Sequence, residues 1–168
     1  FQLRVGKIRV DVLKTPGHTP ESICLVVTDE EKSDKPWAVF TGDTLFIGDV
    51  GRPDLSQSHS PAELAGLLYD SLHNKLMRLP GDVLVFPAHG AGSLCGRNMR
   101  AERSSTIATE CMTNYALQIG SREEFIRDFD SVQISQVVPT PGDIDSRGAS
   151  APVDPVHDPA DFAIIPQN

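Results

Sequence analysis

Twice in this chain an apolar run stops at small residues and is followed by a polar side chain. Trp37-Ala38-Val39-Phe40 leads into Thr41-Gly42-Asp43, and Val83-Leu84-Val85-Phe86 leads into Pro87-Ala88-His89-Gly90. Short, fully apolar runs bounded by turn residues read as buried strands, which puts a carboxylate and an imidazole at two strand ends. A third polar group, His18, is presented by Thr15-Pro16-Gly17-His18-Thr19-Pro20, a loop stiffened by two prolines. Before it, Leu3-Arg4-Val5 and Ile8 to Leu13 alternate apolar with polar about Gly6-Lys7, the pattern of a hairpin. After it, Ser22 to Val27 is dense in β-branched residues and reads as another strand. In layered α/β folds strand ends converge on one rim, where binding sites usually lie. The chain is therefore expected to be α/β, with His18, Asp43 and His89 on a common rim.

The helical part begins at Ser60-Pro61-Ala62-Glu63, where Ser60 can cap, Pro61 suits the first turn and Glu63 can close a capping box. Leu64, Leu67, Leu68, Leu72 and Leu76 follow at helical spacing, and Pro80-Gly81 is the expected stop. His59 falls in the preceding loop, and His73 reads as surface or core filler. Ser104 to Leu117 and Ser121 to Phe129 read as two further, more polar helices, the second opened by the capping box Ser121-Arg122-Glu123-Glu124. From Ser131 onward prolines and aspartates break every period. The expected organisation is one domain over 1–130 and an extended or disordered tail or linker over 131–168.

A chain of 168 residues is long enough for a real core. The net charge of −8 argues against nucleic-acid or anionic-membrane partners. No apolar run approaches the roughly 20 residues that span a bilayer. Phe1-Gln2-Leu3-Arg4 lacks a signal-peptide start, and the absent initial methionine suggests an excised piece or processed product. Cys24, Cys95 and Cys111 are scattered, without C-x-x-C, which suits a reducing compartment, and the cytoplasm is the expected location. Cys24, inside a strand, is expected to be a buried inert thiol. Cys95 has no activating base near it in sequence and is read as structural.

Two histidines and an aspartate on strand-end loops suit a divalent transition metal, zinc, iron or manganese, with positions left open for substrate. No Gly-x-Ser-x-Gly, phosphate loop or dinucleotide fingerprint competes. Arg52 stands in the glycine-rich stretch Gly48-Asp49-Val50-Gly51-Arg52-Pro53-Asp54-Leu55. It can pair bidentately with a substrate carboxylate such as that of glutathione, or with Asp49 or Asp54 to hold the loop.

The strings around His18 (Thr15 to Ser22), Asp43 (Thr41 to Phe46) and His89 (Pro87 to Gly90) resemble, in order and spacing, successive metal motifs of the metallo-β-lactamase superfamily. Gly48 to Leu55 and His89-Gly90-Ala91-Gly92-Ser93-Leu94-Cys95-Gly96 resemble its persulfide dioxygenase branch, particularly members fused to rhodanese domains. The resemblance spans roughly Phe1 to Leu117 and fades through Phe129. It implies an αββα sandwich and an enzyme oxidising glutathione persulfide to sulfite and glutathione with one non-haem iron. His18 and Asp43 would be iron ligands. His89 would bind a second metal, as in glyoxalase II, or stand beside the first. The H-x-H-x-D-H string that normally precedes these motifs is absent. The chain is thus expected to correspond to the C-terminal half of the domain, with only two protein ligands and with the Leu64–Leu76 helix partly exposed. Two other readings stay open: a zinc thioester hydrolase of the glyoxalase II kind, and an inactive remnant serving as a binding module.

Overall fold

The computed structural model describes residues 1–55 and 59–136. Six strands form one mixed sheet in the order β1-β2-β3-β4-β7-β8. Strands β1 (Gln2–Val5) and β2 (Ile8–Lys14) form the hairpin expected about Gly6-Lys7 and pair Val5 with Ile8. Antiparallel β3 (Ile23–Asp29) and β4 (Ala38–Gly42) follow, and β4 runs parallel to β7 (Leu84–Pro87). This parallel step needs a crossover, which contains the short hairpin β5 (Leu45–Phe46) and β6 (Asp49–Val50) and the helix α1 (Pro61–Asn74). Both parallel strands therefore end on the same rim, and Asp43 and His89 follow those ends.

Helix α1 starts as its sequence dictates. The Ser60 side chain accepts from the Glu63 backbone N–H, and the Glu63 carboxylate accepts from the Ser60 N–H at 3.0 Å. The helix stops earlier than Pro80-Gly81: Lys75 leaves helical dihedrals, its ammonium reaches the Lys14 carbonyl, and a 3-10 turn over Leu76–Arg78 follows. The expected exposure of the leucine stripe is also corrected. Leu64, Leu68, Leu72 and Leu76 are at most 1% exposed, while Leu67 is half-buried. Helix α3 (Arg122–Gln136) packs on α1, and its Phe125 and Phe129 join the same core.

The stretch read as one helix over 104–117 is three elements. Strand β8 (Ser105–Thr106) pairs with β7, then α2 (Ile107–Thr113) and a 3-10 turn (Tyr115–Gln118) follow. Asn114 causes the break. Its side-chain amide donates to the carbonyls of Phe46 and Asp49, and its Oδ1 accepts from the Ala116 N–H. Those partners are distant in sequence, so helical periodicity could not foresee them. The tail expected over 131–168 starts in helix, since α3 runs through Gln136, and residues 137–168 lie outside the described residues.

The core gathers on the sheet face bearing Cys24, Val26, Val39 and Val85, beneath α1, α3 and Ile107. Cys24 is the buried thiol expected, and burial pushes its pKa up. Among the described residues no helix is long and apolar enough to cross a membrane.

Candidate metal centre

His18 sits on the β2–β3 loop, which is seated directly on α1. Ser71 donates from its hydroxyl to the Pro16 carbonyl at 2.8 Å. A Cβ on Gly17 would stand 2.5 Å from Leu68 Cα, so only glycine lets the loop approach the helix this closely. The result is a histidine only 9% exposed. Its Nδ1 lies 2.8 Å from the Arg52 carbonyl oxygen. A carbonyl only accepts, so Nδ1 carries the proton and Nε2 keeps the lone pair that a metal needs. A metal-binding histidine is typically oriented this way from its far nitrogen.

Asp43 follows the irregular end of β4, where the register against β7 shifts between Phe40 and Gly42. The loop carrying Gly51 lies across it so closely that a Cβ on Gly51 would stand 1.8 Å from the Asp43 carbonyl oxygen and 3.1 Å from His18 Cβ. The His18, Asp43 and Gly51 loops thus interlock at backbone contact. The Asp43 Oδ1 lies 2.5 Å from His89 Nδ1. His89 is placed by the continuation of β7, where the Ala88 N–H donates to the Gly42 carbonyl at 3.0 Å. The rim therefore brings His18 and Asp43 together and sets His89 against the carboxylate of Asp43.

A third donor was not anticipated. One ligand atom each from His18, Asp43 and Cys95 lie within 4.8 Å of one another. Reading Cys95 as structural rested on the lack of a base near it in sequence, and the loop that carries it closes over residues more than forty positions away. The anchor is Asp49, fully buried, whose carboxylate accepts from the backbone N–H groups of Val50, Arg97 and Asn98. Arg52 completes the link: its N–H donates to the Cys95 carbonyl at 2.9 Å while its own carbonyl holds His18. The available signal was the co-occurrence of the Gly48–Leu55 and His89–Gly96 strings, which here form one interlocked unit.

The guanidinium of Arg52 is paired bidentately with Asp54, at 3.0 and 2.5 Å. That pairing holds the Asp54 carboxyl below its ordinary range and raises the Arg52 guanidinium. Of the partners considered for Arg52, Asp54 is the one engaged, and Asp49 is occupied by backbone donors.

Imidazole nitrogen, carboxylate oxygen and thiol sulfur are all ligands for first-row divalent metals. Donors about 2.0–2.3 Å from a tetrahedral ion stand about 3.5 Å apart. A group already within 4.8 Å needs only side-chain adjustment to close on one. The residues present fit a metal.

Residues 4–89 match the metallo-beta-lactamase superfamily. The chain is 34% identical over 143 residues to the mitochondrial persulfide dioxygenase ETHE1 of Mus musculus, covering 85% of this chain and 47% of that protein. It is 33% identical over 87 residues to a hydroxyacylglutathione hydrolase of Dictyostelium discoideum, covering 52% of this chain and 30% of the relative. Among solved structures, a metallo-beta-lactamase from Staphylococcus aureus superposes with a TM-score of 0.71 at 38% identity, over 78% of this chain and 37% of the other. The chain spans about half the length, or less, of each of these proteins.

Proposed function

The chain belongs to the metallo-β-lactamase superfamily, and from that premise we propose that it carries part of the metal site of a persulfide dioxygenase. The substrate would be a small thiol persulfide such as glutathione persulfide, oxidised to sulfite with release of the thiol. Dioxygen and one water account for the three oxygens of sulfite, and the sulfur–sulfur bond is the one broken. When bound, a non-haem iron supplies open coordination positions for substrate and oxidant.

The observation that carries this reading is the state of His18. It is buried, its tautomer is fixed by the Arg52 carbonyl, and it stands with Asp43 in one donor group. In this reading His18 Nε2 and an Asp43 oxygen hold the iron. His89 orients the Asp43 carboxylate from behind through its 2.5 Å bond. Arg52 keeps the loop closed through Asp54, and its remaining N–H groups are available to a substrate carboxylate. The working unit is residues 1–130 with the end of α3, through Gln136, attached to it, and the remainder of 131–168 is a tail or linker. The three cysteines are free, in keeping with a reducing compartment, for which we propose the cytoplasm. Neither nucleic acid nor a membrane is proposed as a partner.

The hydroxyacylglutathione hydrolase relative favours a second reading, zinc-dependent thioester hydrolysis. Oxygen uptake and sulfite formation on glutathione persulfide, with the iron-loaded chain, are the expected results. Hydrolysis of S-lactoylglutathione with no oxygen uptake would replace the dioxygenase with the hydrolase. Neither activity, in a chain that folds, would favour the remnant binding module.

A further inference from the structure

We infer that Cys95 is a metal ligand, so that this chain holds a three-donor site of its own: His18 nitrogen, Asp43 oxygen and Cys95 sulfur. The inference rests on the metal-site reading above and goes beyond it, because that reading uses two protein ligands from this chain and no thiolate.

Three independent features support it. The first is proximity: one ligand atom of each residue lies within 4.8 Å of the others, a spacing set by four loops rather than by neighbouring positions in sequence. The second is the buried histidine. His18 is 9% exposed, its Nδ1 is taken by Arg52, and its Nε2 makes no hydrogen bond among the described residues. That nitrogen therefore keeps a lone pair open to a ligand. The third is the fastening of the cysteine loop. The backbone of Arg52 grips His18 with its carbonyl and Cys95 with its N–H. Asp49, fully buried, holds the second and third residues after Cys95, Arg97 and Asn98, by their N–H groups. Gly96 packs so closely on this carboxylate that a Cβ there would stand 2.9 Å from Asp49 Oδ2. The loop is thus braced at Cys95 and through the three residues that follow it, which keeps its backbone beside the centre.

One nitrogen, one oxygen and one sulfur donor with a fourth position open is a set that suits zinc or cobalt. A thiolate is a soft ligand, so its presence moves the preference of this site toward zinc relative to a set made of imidazole and carboxylate alone. Binding forms a metal–sulfur bond and releases the thiol proton to solvent, with no change of oxidation state.

The test is titration of the full chain with cobalt(II), followed by absorption. The expected result is a near-ultraviolet sulfur-to-cobalt charge-transfer band growing with the visible ligand-field bands, to one cobalt per chain. In Cys95→Ser the charge-transfer band disappears and the ligand-field bands remain. Affinity falls by at least the roughly 10–100-fold that loss of even an outer-sphere partner costs. Cys24→Ser and Cys111→Ser keep the band, and circular dichroism checks that each variant folds. Ligand-field bands without the charge-transfer band in the parent chain would overturn the thiolate ligand and leave the metal-site reading standing. Persistence of the band in Cys95→Ser would do the same. No cobalt spectrum at all, in a folded chain, would remove both.

Discussion

On one face of the central sheet Cys24, Val26, Val39 and Val85 lie under the helices, none more than 5% exposed; on the other, Ile23 and Phe40 are 47% and 45% exposed. Leu25 and Phe86 on that second face are half-buried, and Phe40 stacks on Phe86 with ring centroids 5.4 Å apart. Both faces are apolar, but the first is the more fully covered within the described residues: on the second, Val27 and Ala38 are buried while Ile23 and Phe40 stay open. Stability is therefore concentrated on the helix side, since buried apolar area is the main favourable contribution to folding. The candidate metal centre inherits the asymmetry. The His18 loop is fastened to α1 through Gly17 and Ser71, whereas Asp43 and His89 border a depression lined by Ile23, Leu25, Phe86 and Ala88 on the open face.

The largest effect that breaks this comparison is expected on the helix side. Phe125, fully buried between α1 and the core, should cost about 3–5 kcal/mol when replaced by alanine. Urea unfolding measures it, and a loss below 1 kcal/mol would mean that the helix layer is not the seat of stability. Next comes Asp49→Ala, which strands part-buried backbone donors in the Cys95 loop and should cost about 1–3 kcal/mol. Amide exchange should rise at Arg97 and Asn98 before it rises in the sheet; uniform exchange throughout would contradict a local brace. On the open face, Phe40→Ser should shift stability by no more than about 0.5–1 kcal/mol. A cost equal to that of Phe125→Ala would erase the distinction between the faces.

The smallest expected effect depends on pH. The Asp54 carboxyl is held below its usual value of 3.8 by Arg52. Because the folded pKa is depressed, the pair's contribution is present above the unfolded value and is lost as pH falls through the folded one. A melting-temperature difference between the parent chain and Asp54→Asn should be present near neutrality, shrink in acid below that range, and diminish with salt. A difference that does not change with pH would mean that the Asp54 charge plays no part in holding the loop.

Much of this architecture was legible because local chemistry and global fold agree. The Gly6-Lys7 hairpin, the Ser60–Glu63 capping box and the apolar runs at β4 and β7 each carry their own signal within a few residues. Asp43 and His89 could be placed on one rim because each directly follows such a run. What could not be read depends on contacts far apart in the chain. Helix α2 is cut short by Asn114 reaching Phe46 and Asp49. The leucines of α1 are covered by Phe125 and Phe129 of α3, some sixty positions later. Cys95 joins His18 and Asp43 only because the backbone of Arg52 ties two loops together. A sequence string can suggest that such residues matter without saying which atoms they hold.

The most direct test of the account is the metal content of the purified chain, by plasma mass spectrometry, beside that of His18→Ala. The convergence of His18 with Asp43 predicts about one equivalent of iron or zinc per chain, lost in the variant while circular dichroism stays unchanged. A folded parent chain that emerges empty, and stays empty after incubation with either metal, would contradict the claim that these residues form a metal centre here.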